Sequence, residues 1–302
     1  MQEVVAADLA RYRALIISAL PQFVGRQFVT LSEGWDSVAL ECDGWIFRFP
    51  RSQLAAERLR REVGLLGFLR PRITMALPQP VWHEGDEPFT QHRKIDGTYL
   101  ETPQYLALDD GRRNAIAMRL AQLYAELHQL PLARVQQAGA VAVDPWMAPD
   151  DILAGAIPKL PKKLHPFVRR TVKAYRKLTI AGDELVYGYF DGHGWNMAFD
   201  DKTGLLNGVY DFADSGFGSR HRDLSYSNWI SADLTLRIID RYEGLTRRAI
   251  DRNLVMLYTS ALRLAELAAE FLPEETAVAN VVGWVAELEA IKPRIASSQR
   301  QQ

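Results

Sequence analysis

Much can be excluded from what the sequence lacks. Cys42 is the single cysteine in 302 residues, so no intramolecular disulfide and no cysteine cluster around a metal can form, a pattern that suits a reducing cytoplasm. Net charge is nearly absent: 36 Lys and Arg against 37 Asp and Glu leave −1. That gives no electrostatic case for nucleic acid or an anionic membrane as partner. No apolar run reaches membrane-spanning length. His83, His92, His165 and His221 show no paired metal-ligand spacing. The amino-terminal stretch sets Glu3 and Asp8 among Val4, Leu9, Tyr12, Leu15, Ile16 and Leu20. It reads as an amphipathic helix, not a signal peptide.

What is present is a globular composition, 48% hydrophobic and 24% charged, in a length that exceeds one ordinary core and suits two lobes. Residues 38–42 and 45–49 are β-rich runs joined by Asp43-Gly44, the dipeptide favoured in a tight type I′ hairpin. Ser52 is placed to cap a helix reaching about Leu69, with Leu59, Val63 and Leu66 on one stripe. More β-rich sequence covers 80–82 and 89–95, so residues 1–95 are expected to form a small α+β lobe. From Asp109 the pattern turns helical: Ile116, Leu120, Leu123, Tyr124 and Leu127 recur at helical spacing and lead to His128. Residues 131–170 are the least regular part. Further helices are predicted over about 166–178, 251–271 and 276–291. One β island, 189–212, stands alone in this helical half.

Chemistry concentrates in that island. Tyr189-Phe190-Asp191-Gly192-His193-Gly194-Trp195-Asn196 leads into a strand, a turn at Asp200-Asp201-Lys202-Thr203-Gly204 reverses it, and a second strand ends at Tyr210. A hairpin returns its last residue beside its first. Asn196 and Asp211 are therefore expected at one point in space, with Asp191 in the loop five residues before Asn196. An Asn carbonyl and an Asp carboxylate are hard oxygen ligands of the kind magnesium takes beside phosphates. Phosphoryl transfer also needs a carboxylate to orient and deprotonate the attacking hydroxyl, which Asp191 would supply. Singly, each residue is explained by the preference of Asp and Asn for turns; together they favour phosphoryl transfer.

The same stretch resembles the catalytic loop of aminoglycoside phosphotransferases, where an Asp, a His two residues on and an Asn five residues on recur. Asp211-Phe212-Ala213-Asp214-Ser215-Gly216-Phe217-Gly218 is similar to that family's metal-binding segment, and Asp223-Leu224 to the pair whose Asp braces the catalytic loop. Upstream, Gly34-Trp35-Asp36-Ser37-Val38-Ala39 and Phe47-Arg48-Phe49-Pro50-Arg51 resemble its nucleotide loop and following strand. The resemblance spans about 28–229 in the expected order. It implies an α+β, bilobal protein-kinase-like fold: a small β-rich nucleotide-binding lobe at 1–95 and a larger, mainly helical catalytic and acceptor-binding lobe at 96–302. It further implies Asp191 as catalytic base, Asn196 and Asp211 as Mg2+ ligands, Ser37 at the phosphates, and ATP or GTP as donor. The hinge between lobes would be 91–97, with His92, Arg93, Lys94 and Ile95 along the purine. There are two departures: Tyr189 stands where a His is usual, and Arg48 where Lys is the more general choice.

Strand alternation puts Arg48 on the face of Ile46. Glu62 sits at the edge of the next helix's apolar stripe, where an unpaired carboxylate is costly, so Arg48–Glu62 is the expected ion pair. The alternative is a surface charge among Arg58, Arg60 and Arg61. For the acceptor, the resemblance implies a hydroxyl of an aminoglycoside-type antibiotic. A macrolide, a choline-like alcohol or a sugar stays open, as does a non-catalytic nucleotide-binding module. A cationic acceptor calls for carboxylates near Asp191, and Asp214, Glu266 and Glu270 are the candidates. Trp146 and Trp195 would line an apolar acceptor wall or pack in the core.

Overall fold

The computed structural model describes residues 2–33, 36–179 and 184–298. Gly34 and Trp35, the centre of the expected nucleotide loop, lie outside the described residues. The chain opens with helix α1 (Gln2–Ala19), followed by strands β1 (Val29–Glu33), β2 (Ser37–Cys42) and β3 (Trp45–Pro50). Helix α2 (Gln53–Leu69) then precedes β4 (Val81–His83) and β5 (Phe89–Arg93). The strands form one antiparallel sheet in the order β1-β2-β3-β5-β4. Asp43 and Gly44 take φ of 49° and 74°, the two positive values a type I′ turn requires, and this sets Cys42 opposite Trp45. Ser52 caps α2 by accepting from the Ala55 amide at 3.1 Å. Phe23, Phe28, Phe47, Phe49 and Phe89 fill the core of this part, and Tyr12 of α1 stacks on Phe49 at 4.3 Å.

The second part is mainly helical. It contains α3 (Thr102–Ala107), α4 (Asp110–His128), α5 (Leu132–Gln137), α6 (Pro149–Ala156) and α7 (His165–Tyr175). The strands β6 (Leu185–Gly188), β7 (Met197–Asp200), β8 (Leu205–Val209) and β9 (Gly216–Ser219) follow. Then come α8 (Arg220–Ser225), α9 (Ala232–Thr246), α10 (Arg252–Ala269) and α11 (Glu274–Ser298). Helix α4 packs along α9, and α10 lies against α6, α7, α8 and α11. The architecture is thus α+β, a β-rich first part on a helical second part. The second core reaches across the sequence: Leu65, Leu66 and Leu69 of α2 join Leu120, Tyr124, Phe212 and Ile239.

Three features depart from the sequence reading. The β island is not alone, because β6 pairs antiparallel with β9 beside the β7–β8 hairpin. The Gly216 and Gly218 of β9 weaken any strand signal, and the pairing depends on tertiary neighbours such as the Ala142↔Phe217 bridge. Helix α9 was not anticipated: Thr235, Ile238 and Ile239 lower its intrinsic helix propensity, and it is held by burial against α4. The buried stripe of α2 runs through Ala55, Leu59, Glu62, Leu66 and Leu69, leaving Val63 only half-buried.

The crossing from sheet to helices is clamped. Thr98 exchanges two backbone hydrogen bonds with Phe199 of β7, both 2.7 Å. Gly97 makes this approach possible: its φ is 144°, and a Cβ there would stand 2.6 Å from the Ala198 carbonyl carbon. Gly97→Ala is expected to cost about 3 kcal/mol in urea unfolding, whereas Gly85→Ala, facing open space, should leave the midpoint nearly unchanged.

Candidate active site

The β7–β8 hairpin brings its two flanks together. Tyr210 donates its amide to the Asn196 carbonyl at 2.8 Å, so Asn196 and Asp211 emerge side by side. Both line one cavity of about 390 Å3 between sheet and helices, with Arg48, His92 and Lys94 on its other walls. Asn196 Nδ2 donates to Asp191 Oδ2 at 2.5 Å and to the Asp191 carbonyl at 3.1 Å, which identifies the opposite amide atom as the free oxygen. Asp211 has φ of 54°, and its Oδ1 accepts from Ala213 and, at 3.5 Å, from Arg48. One carboxylate and one amide oxygen facing a cavity are hard oxygen donors of the kind that would hold Mg2+. Among the described residues no cluster of three or more His, Cys, Asp or Glu offers a cage made wholly of protein.

The loop carrying Asp191 is held from behind. Asp223 of α8 is fully buried and accepts from the Tyr189 amide at 3.0 Å and the Phe190 amide at 2.6 Å. Phe190 takes φ of 58°, a strained value for a bulky residue, which these two bonds over-determine. Gly188 leaves room for the carboxylate; a Cβ there would come within 2.2 Å of Asp223 Oδ2. A carboxylate accepts only, so His128 must donate Nε2–H to Asp223 (2.8 Å) and receive the Tyr242 hydroxyl at Nδ1 (3.0 Å). Burial holds the His128 pKa below its ordinary value, against the pull of Asp223. Tyr189, in the position where His is usual, donates its hydroxyl to the Tyr210 carbonyl and packs on Phe212 at 4.7 Å. His193 Nε2 lies 3.0 Å from Asp191 Oδ1; burial opposes its protonation, but Asp191 outweighs it and the pKa is raised.

Arg48 Nη1 donates to Glu62 Oε2 at 2.8 Å, and Glu62 is only 3% exposed, so the carboxylate is no surface charge. Arg58 and Arg60 instead pair outward, with Asp36 and Glu84. Glu62 Oε1 also accepts the Phe212 amide at 3.0 Å. One side chain of α2 therefore fixes both the strand carrying Arg48 and the segment carrying Asp211.

The expected hinge residues divide. His92 and Lys94 face the cavity, and Lys94 pairs with Glu41 at 2.7 Å. Arg93 points away, over the Trp45 ring and onto the Asp43 carbonyl. Ile95 contributes backbone, but its N–H and carbonyl are both taken by the Tyr210 hydroxyl, at 2.6 and 2.5 Å. Ser37 opens β2 opposite Pro50 and is not among the residues lining the cavity. On the acceptor side, Glu270 is exposed and bound to Lys159, and Trp146 packs among Tyr175, Tyr226 and Tyr258. Asp214 sits near Asp191 and Asp211; removal from bulk water first and those two charges second push its carboxyl up to about 6. Trp195 is 56% exposed and lines the cavity between sheet and helices. The roles of Tyr210 and His128 had no local signal beyond a lone His closing an apolar helical stripe.

The chain matches the model of the phosphotransferase enzyme family over residues 27–252. It belongs to that family. It is accordingly a phosphotransferase with an alcohol group as acceptor. Solved structures share the fold of this phosphotransferase. A GDP complex of an aminoglycoside 2′-phosphotransferase-IIIa mutant is 21% identical, with TM-score 0.76 over 93% of this chain and 97% of that one. The GDP and kanamycin complex of APH(2″)-IIia is 21% identical, with TM-score 0.73 over 93% and 99%. The macrolide 2′-phosphotransferase of Brachybacterium faecium is 18% identical, with TM-score 0.64 over 89% and 97%. No curated protein matches in sequence.

His92 of the phosphotransferase gives a pH test. It is 4% exposed, and burial lowers its pKa from 6.5 to about 4, with Arg48 adding repulsion and a bond to the Arg93 carbonyl opposing both. Near neutral pH it is uncharged in both folded and unfolded chains. Below about 6.5 the unfolded chain binds a proton that the folded chain refuses until about 4. Stability should therefore fall as pH drops through that window, by up to about 3 kcal/mol from this residue. Urea midpoints across the window should show a shallower fall for His92→Gln.

Proposed function

We propose that this phosphotransferase moves the γ-phosphoryl of ATP or GTP to a hydroxyl of a small molecule. Residues 1–95 serve the nucleotide, and 96–302 serve catalysis and the acceptor. The observation that carries the reading is the convergence of Asn196, Asp211 and Arg48 on one cavity with Asp191 bonded to Asn196. Asp191 orients the acceptor hydroxyl and receives its proton. Arg48, held by Glu62, steadies the phosphates; His92 and Lys94 lie along the base, with Ile95 held at the hinge by Tyr210. Asn196 Oδ1 and Asp211 would hold Mg2+, which when bound neutralises charge on the phosphates. Positioning and charge complementarity supply most of the rate.

Nucleotide binding is supported by the GDP and ADP complexes of proteins with this fold. An aminoglycoside-type acceptor is the finer reading supported by likeness to enzymes solved with kanamycin and gentamicin. A different hydroxyl compound is supported by the same fold in macrolide enzymes. No helix among the described residues is long and apolar enough to cross a membrane, and the lone Cys42 is buried and free, which accords with a reducing cytoplasm.

Asp191→Ala should lower acceptor phosphorylation by about 10²–10⁴-fold while nucleotide binding persists. Asp211→Ala should instead abolish the Mg2+ dependence of nucleotide binding, measured by calorimetry with and without the metal. Unchanged turnover in Asp191→Ala would refute the reading.

A further inference from the structure

A second cavity, of about 420 Å3, opens beside the catalytic loop, with His193, Trp195, Trp229, Arg263 and Asn280 in its walls. It adjoins the chemistry on two counts. Trp195 lines this cavity and the nucleotide-side cavity alike, and His193 is 3.0 Å from Asp191. An acceptor held here can present a hydroxyl to Asp191.

The protein meets the needs of most polar groups in these walls, such as Thr102 and Trp195, but leaves the Arg263 guanidinium only partly satisfied. The Arg263 side chain is 12% exposed and its guanidinium lies 4.0 Å over the Trp229 ring. The nearest carboxylate oxygen, on Glu266, is 3.9 Å away, beyond hydrogen-bond reach, and Arg263 Nε is buried with no acceptor. A guanidinium carries five donors, and buried donors without acceptors are rare in folded proteins. His193 Nδ1 is likewise buried without a partner. Only Glu101 among the lining residues is a carboxylate, and it accepts from the Trp195 indole at 3.2 Å. Glu266 neighbours Arg263, Trp229 and His193, and burial raises its pKa. A polycation would bring ammonium groups against the Arg263 guanidinium, with Glu101 the one carboxylate among the lining residues. An anionic oxygen group instead meets the Arg263 guanidinium in the cavity wall.

We propose that this cavity is the acceptor subsite and that Arg263 selects a hydroxyl compound bearing a carboxylate, whose apolar body packs on Trp195 and Trp229. This rests on the phosphotransferase reading of Asp191. In the reaction the bond from the γ-phosphorus to the bridging oxygen breaks and the nucleoside diphosphate leaves. A bond forms from that phosphorus to the acceptor hydroxyl oxygen, and the hydroxyl proton passes to Asp191.

The test compares apolar hydroxy-carboxylic acids, their neutral methyl esters and polycationic aminoglycosides, using the full chain with nucleotide and Mg2+ and following nucleoside diphosphate release. Acids should exceed their esters by about tenfold or more in kcat/KM. Arg263→Gln should bring acids down to the level of esters, chiefly through KM, and Arg263→Lys should restore part of the preference. Indole fluorescence reads binding without turnover: acids should perturb it in wild type at concentrations about tenfold lower than in Arg263→Gln. Thermal unfolding checks that both variants fold. Equal use of acids and esters, a preference that survives Arg263→Gln, or aminoglycosides as the best acceptors would overturn the proposal. So would acids that neither bind nor react. Absence of nucleotide binding and of turnover on every acceptor would instead defeat the underlying phosphotransferase reading, a result distinct from any selectivity outcome.

Discussion

A carboxylate cut off from water must find its donors inside the protein, and two such groups organise this molecule. Glu62, buried in the apolar stripe of α2, takes the Arg48 guanidinium with one oxygen and the Phe212 amide with the other. Asp223, buried under the loop carrying Asp191, takes the amides of Tyr189 and Phe190 and the imidazole of His128. Each acid also reaches backbone more than thirty residues away in sequence, beside Asp211 in one case and Asp191 in the other. Removing either acid would strand several donors at once, a loss of a few kcal/mol per site by general experience with buried pairs.

The consequence is a division between rigid support and exposed chemistry. Phe190 and Asp211 both hold positive φ without being glycine, and each lies in a segment tied down by one of the buried acids. Asp191 and Asn196 are then presented on a loop whose neighbours cannot relax, the preorganisation that phosphoryl transfer depends on. The replacement of the usual His by Tyr189 fits this scheme. Its hydroxyl reaches the carbonyl preceding Asp211 and its ring packs on Phe212, so it spans from the loop carrying Asp191 to the segment carrying Asp211.

Legibility in the sequence follows the range of the interaction. The β2–β3 turn depends on Asp43-Gly44 alone, the α2 cap on Ser52 and a residue three positions on, and the β7–β8 hairpin on one short turn. All three were readable. The pairing of Arg48 with Glu62 was readable because a carboxylate on an apolar stripe signals a missing partner. The β6–β9 pair and α9 were not, since glycine-containing short strands and β-branched helix residues take their structure from what packs on them. The outward turn of Arg93 and the capture of Ile95 by Tyr210 depended on neighbours far along the chain.

By itself the sequence determined that Asn196 and Asp211 flank one hairpin with Asp191 close by, because a short turn is a local device that needs no distant partner. It also determined the family, through several short motifs in a fixed order. Only the tertiary structure decided which charges face the cleft. Glu270 is drawn off to Lys159, while Arg263 is laid over Trp229 with its Nε left without an acceptor. The physical reason is that a charged side chain's role depends on its burial and on its nearest opposite charge, and both are set by helices meeting from distant parts of the chain.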